Sequence, residues 1–129
     1  MFKETNTFSG FSVNDISAAK QFYGETLGLT LEEMPEGVML HLYGGGKVFL
    51  YGKDDHTPAT FTVLNFEVEN IDQVADELIA SGITFERYDW MDEAQPDDKG
   101  IYKGKTIGKG PNIAWFKDPA GNVLSILQK

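Results

Sequence analysis

His41 and His56 are the only side chains here whose ordinary pKa lies near neutrality, so they are the first places to look for proton-transfer chemistry. His41 falls in an apolar stretch that alternates like a strand. A carboxylate such as Glu67 could tune it as a general base, although a lone histidine on a sheet face is also an ordinary half-exposed residue. His56 follows Asp54 and Asp55, three ligand-capable groups in a row, but beside Thr57 and Pro58 this is the composition of a polar linker. Glu32, Glu33 and Glu36 read as a solvated stretch. With no cysteine, the chain has no route to thiol catalysis, a disulfide scaffold or a zinc ribbon. What remains is aromatic: Tyr43, Phe49, Tyr51 and Trp115 lie in candidate strands. They suit a flat aromatic or cationic ligand held by stacking and cation–π contact.

The elements that must position these groups recur in two halves. Residues 7–13 alternate as a strand, Asp15 is an N-cap, and Ile16, Ala19, Phe22, Tyr23 and Leu27 form the apolar stripe of a helix that Gly28 ends. Strands follow at 30–34, 38–43 and 47–51, the last two joined by Gly44-Gly45-Gly46, which supplies the positive φ that a tight connection needs. The order then repeats. Residues 61–68 read as a strand, Asn70 caps a helix carrying Ile71, Val74, Ala75, Leu78 and Ile79, and Gly82 ends it. Strands at 83–88, 112–116 and 123–127 complete the set, with the turn at 118–122 before the last. The expected organisation is a single domain over 1–129: unit one at about 5–52, a linker at 53–60, and unit two at 61–129.

A long loop at 89–111 breaks the symmetry. Asp89, Asp92, Glu93, Asp97 and Asp98 come first, then Lys99, Lys103, Lys105 and Lys109. Trp90, Met91, Ile101 and Tyr102 are available to cover a binding site, or the loop is simply solvated. The whole chain has 129 residues, 11 basic and 20 acidic side chains, and a formal net charge of -9. At this length roughly two thirds of the unfolded surface is buried, enough for a core without staples. An acidic surface repels phosphate backbones and anionic headgroups, so neither nucleic acid nor membrane is an expected partner. No apolar run approaches the roughly 18 residues of a membrane span, and the start lacks a signal-peptide layout, so the expected location is cytoplasmic.

Val13-x-Asp15 leading into Phe22-Tyr23 and Leu27-Gly28, with Phe116-Lys117-Asp118-Pro119-Ala120-Gly121-Asn122 before a final strand, resembles the vicinal oxygen chelate superfamily. Glyoxalase I, bleomycin-resistance proteins, fosfomycin-resistance enzymes and extradiol dioxygenases belong to it, and the resemblance spans essentially the whole chain. It implies an α+β fold: two βαβββ units forming a curved mixed sheet cup with helices on the outer face, commonly as a homodimer. It also implies a divalent metal held by the first and last strand of each unit. The first-strand positions, seven residues before Asp15 and Asn70, are Phe8 and Val63. The last-strand positions are Phe49 (Leu50 if the register slips by one) and Ser125, four residues after Gly121. Three of these are apolar and a neutral hydroxyl is a poor ligand for a divalent ion, so no metal and no cofactor are expected.

Strand alternation then assigns the cup face. The first unit contributes Phe8, Gly10 and Ser12, then Met39, His41 and Tyr43, then Lys47, Phe49 and Tyr51. The second contributes Val63, Asn65, Glu67, Trp115, Val123, Ser125 and Leu127. Such a mixture of aromatic and a few polar groups is the make-up of a small-molecule site. The expected function is metal-free binding of an apolar or aromatic small molecule, of the bleomycin-resistance-like kind. The alternatives are a lyase or dioxygenase-like enzyme with a displaced metal site using His41 and Glu67, and a ligandless accessory domain whose cup is filled by Phe8, Phe49 and Val63.

Overall fold

The structure is a computed structural model that describes residues 1–88 and 95–129. They form two compact units, Met1–Pro58 and Ala59–Lys129, each an α+β arrangement with one four-stranded mixed sheet. The first unit runs β1 (Ser9–Val13), α1 (Ile16–Lys20), a π-helical continuation (Gln21–Thr26), β2 (Thr30–Met34), β3 (Gly37–His41) and β4 (Lys47–Gly52). Its strand order is β1-β4-β3-β2, with β1 parallel to β4 and the other pairs antiparallel. The second unit runs β5 (Thr62–Glu67), α2 (Ile71–Ala80), β6 (Tyr102–Lys103), β7 (Asn112–Lys117) and β8 (Val123–Gln128), in the order β5-β8-β7-β6. Here too the first and last strands are parallel and the rest antiparallel. This is the repeated βαβββ unit.

Both helices begin where the sequence predicts. Asp15 accepts a hydrogen bond from the Ala18 backbone N–H at 3.1 Å, and Asn70 accepts one from Gln73 N–H at 3.1 Å. Each side chain satisfies one of the N–H groups that a helix start leaves unpaired. Asp15→Ala or Asn70→Ala is expected to cost about 1 kcal/mol, seen as a lower urea midpoint at unchanged slope. An unmoved midpoint would show that the cap contributes nothing.

Each helix covers one face of its sheet. In the first unit α1 packs on β3 and β4, where Val38, Leu40, Val48 and Leu50 are buried beneath Ala19, Phe22 and Tyr23. The first helix does not stay α-helical to Leu27. From Gln21 it widens, with Leu27 N–H bonding to Phe22 C=O at 2.9 Å, five residues back. The wider coil lets the adjacent Phe22 and Tyr23 rings both enter the core, edge to face at 5.1 Å. In the second unit α2 packs on β7 and β8, over Ala114, Phe116, Leu124 and Ile126, and Phe85 meets Phe116 edge to face at 5.9 Å.

The expected strand at 83–88 does not form. Its alternation only buries Phe85, and in passing Glu86 N–H donates to Trp115 C=O at 2.7 Å. The edge place beside β7 is taken instead by β6, which lies within the stretch expected to be loop. Several strand ends also move. β1 starts at Ser9, leaving Phe8 outside it, and β3 ends at His41, leaving Tyr43 in a turn where Gly44 and Gly45 take φ of 86° and 94°. Trp90 and Met91, expected as a cover, lie outside the described residues. No helix among the described residues is long and apolar enough to cross a membrane.

Candidate functional site

The face of the first sheet away from α1 is set by register. Gly10, Phe49, Met39 and Glu32 stand in one row; Ser12, Tyr51 and Gly37 stand in the next. Alternation assigns Phe49 and Tyr51 to this face, and the register places them there, while Leu50 is fully buried on the helix side. Phe49 and Tyr51 stack with centroids 6.0 Å apart and planes at 22°. Tyr43 is fully exposed in its turn and does not join this face, because β3 ends two residues before it. Phe8 is 63% exposed, so it plugs nothing within its unit.

The titratable groups find partners other than those expected. His41 Nε2 lies 2.7 Å from Glu32 Oε1, across the β2–β3 pair, and both side chains are well exposed. Glu67 pairs instead with Lys129 at 3.0 Å. His56, which the sequence leaves in a linker, returns to β1 and places Nδ1 2.6 Å from Ser12 Oγ. Nothing in local sequence marks that return.

On the second sheet, the face away from α2 carries Asn65, Ser125 and Trp115 in one row. Ser125 is fully buried and its Oγ donates to Asn65 Oδ1 at 2.5 Å. At the start of β5 a bulge between Thr62 and Leu64 shifts the parity. Val63 is therefore the extra residue, and Thr62 takes the place on this face that alternation assigns to Val63. Trp115 Nε1–H donates to Thr62 Oγ1 at 3.1 Å.

Trp115 is further held by two tyrosines, edge to face: Tyr88 at 5.5 Å and Tyr102 at 5.4 Å. The Tyr102 hydroxyl accepts from Tyr88 backbone N–H at 2.6 Å, linking the two. Burial, then the nearby Glu86 and Tyr102, push the Tyr88 phenol up from its ordinary value. Beside Trp115 opens a cavity of about 360 Å³ lined by Thr60, Phe61, Thr62, Tyr88, Trp115 and Val123. Of these, alternation anticipated only Trp115 and Val123. Thr62 was hidden by the bulge, and Phe61 and Tyr88 lie outside the regular strands.

Tyr102 is fixed in turn by ion pairs and a tight turn. Lys99 reaches Asp76 at 2.9 Å and Asp72 at 3.6 Å on α2, and Lys103 reaches Asp72 at 3.7 Å and Asp97 at 3.6 Å. Asp97 Oδ1 accepts from the backbone N–H groups of Lys99, Gly100 and Ile101. Burial works against its charge, but these amides and Lys103 outweigh it and hold the carboxyl below its ordinary value. A depressed folded-state pKa contributes stability above the unfolded-state value of about 3.9 that is lost as pH falls through the folded one. Acid unfolding should thus be steeper in the native chain than in Asp97→Asn; equal slopes would contradict this role.

The four positions at which the resemblance implies a metal carry side chains that do not suit a divalent ion. Phe8 and Phe49 offer only rings, Val63 is an aliphatic residue in a bulge, and the Ser125 hydroxyl is engaged by Asn65. Among the described residues, no group of three or more His, Asp or Glu stands close enough to hold a metal ion. The paired His41 and Glu32 are two such groups alone.

Comparison with known proteins gives the fold its relatives. The structure is similar to a glyoxalase family protein from Bacillus anthracis, at 23% identity over 100% of this chain and 99% of that one, with a TM-score of 0.67. It is also similar to the fosfomycin resistance protein FosX from Listeria monocytogenes (11% identity, 98% and 93% covered, TM-score 0.69). A third is TnmS3, an antibiotic binding protein from Streptomyces sp. CB03234 (21% identity, 97% of each chain covered, TM-score 0.61). No curated protein matches the sequence. A family model matches residues 7–126, and with the two βαβββ units this shows that the chain belongs to the Glyoxalase/Bleomycin resistance protein/Dioxygenase superfamily.

Proposed function

We propose that this protein is a metal-free small-molecule binder of the bleomycin-resistance type, holding an apolar or aromatic ligand against Trp115. The observation that carries the reading is the aromatic cavity beside that ring, with Phe61, Tyr88 and Val123 on its walls and no charged side chain among the described residues that line it. A volume of about 360 Å³ is that of a small ligand pocket. Phe49 and Tyr51, stacked on the first sheet, offer a second aromatic surface. The antibiotic binding protein TnmS3, similar in fold, is a precedent for binding in this architecture.

Thermal unfolding tests the proposal, because whatever binds only the folded chain raises its midpoint. Planar aromatic compounds are expected to raise it, and divalent metals or a chelator to leave it in place. A rise with metal that chelator reverses would replace this reading with a metal-dependent enzyme. The same reading includes a homodimer in the cytoplasm, which sedimentation and cell fractionation test.

A further inference from the structure

Ser12 and His56 form a pair that aromatic binding at Trp115 does not use. Ser12 lies on β1, on the face of the first sheet that carries Phe49 and Tyr51, and His56 Nδ1 stands 2.6 Å from its Oγ. Two backbone bonds hold the returning segment in place: Lys53 N–H donates to Val13 C=O, and His56 N–H to Lys53 C=O, each at 3.0 Å. Both side chains are half-buried, so the pair is ordered and still open to solvent. With the ring proton on Nε2, Nδ1 is an acceptor and the serine hydroxyl donates to it. That is the arrangement of a nucleophile beside its general base.

The neighbours of Ser12 say what substrate it would meet. Tyr51 stands opposite it in the parallel β1–β4 pair, one strand spacing of about 4.8 Å away. Two residues earlier, Gly10 stands opposite Phe49 and carries no side chain; a Cβ there would come within 3.9 Å of the Tyr51 ring. The stacked rings thus flank bare backbone that leads to the hydroxyl. We propose that Ser12 and His56 are a nucleophile and base that cleave aryl esters, with the aryl group on the Phe49–Tyr51 stack and the acyl carbon at Ser12 Oγ. Oγ bonds to the carbonyl carbon as its proton passes to His56 Nδ1; the bond from that carbon to the aryl oxygen breaks, and the phenol leaves with the proton. Water then attacks the acyl-serine through the same base, releasing the carboxylic acid and restoring the hydroxyl. An aryl ester suits so small a machine because a phenol leaves readily, whereas the amine of an amide does not. The pair lies wholly within the first unit, so the proposal stands or falls apart from the cavity at Trp115.

Reaction with p-nitrophenyl acetate tests this, read as nitrophenol release and, after an acid quench, as the site of acetylation by peptide mass spectrometry. The native chain is expected to carry the acetyl group on Ser12. Ser12→Ala and His56→Gln are each expected to slow release by about a hundredfold, the least that a positioned base contributes. Glutamine keeps a hydrogen-bonding end but cannot take up a proton. If the bond only ties the returning segment to β1, His56→Gln preserves it and release is unchanged, which would overturn the proposal. Acetyl groups confined to lysines, or equal release by the native chain and Ser12→Ala, would overturn it as well. Tyr51→Ala is expected to raise KM for the ester with kcat little changed; an unmoved KM would overturn the aryl placement. Urea midpoints of the same variants confirm that lost reaction is not lost folding.

Discussion

Trp115→Ala is expected to weaken binding of a planar aromatic ligand by at least about tenfold, about 1.4 kcal/mol. The indole is the wall of the cavity, clamped between Tyr88 and Tyr102 and tied to Thr62. Its ring is therefore preorganised, and no rotamer freedom is lost when a ligand stacks on it. Trp115→Phe keeps a ring but releases the Thr62 bond, so it is expected to fall between the two. Calorimetric titration gives the affinities, and urea denaturation of the same variants separates binding from folding. Unchanged affinity in Trp115→Ala would remove this residue from the site.

Gly37→Ala is expected to produce the largest loss of stability, about 3 kcal/mol or more. A Cβ at Gly37 would stand 2.0 Å from the Leu50 carbonyl oxygen, a backbone atom that cannot rotate away. Relief requires parting β3 from β4, at the pair Gly37–Tyr51. That pairing also fixes the site face, since a slip of one residue would carry Phe49 and Tyr51 to the helix side. Urea denaturation reads the effect; a variant as stable as the native chain would contradict the register.

Features that rest on short-range chemistry were legible in the sequence. The caps at Asp15 and Asn70, the glycine turn after Tyr43, and the opposite faces of Val38, Leu40, Val48 and Leu50 against Phe49 and Tyr51 follow from spacing and side-chain type alone. The misses share a different cause. The bulge that exchanges Val63 for Thr62 depends on how β5 meets β8, sixty residues away in the chain, and leaves no local mark. Residues 83–88 alternate like a strand, but the place beside β7 goes to β6, which is held by Asp97 and by lysine pairs to α2. That competition is invisible to a window of a few residues. The partner of His41 is likewise set by pairing between strands: the β2–β3 register brings it Glu32, and Glu67 goes to Lys129. Tyr88 and Tyr102, which frame Trp115, become a site only through that long-range assembly.

The central claim is that an organic ligand, and no metal, occupies the surface around Trp115. Amide and indole N–H signals in a ¹H–¹⁵N spectrum, with the Trp115 indole assigned by Trp115→Phe, test it residue by residue. The account predicts that a planar aromatic compound such as fluorenone shifts the Trp115 indole together with the amides of Thr62 and Val123, while manganese leaves the signals of Asn65 and Ser125 sharp. Manganese broadening at Asn65 and Ser125, with no response of Trp115 to the aromatic compound, would contradict it.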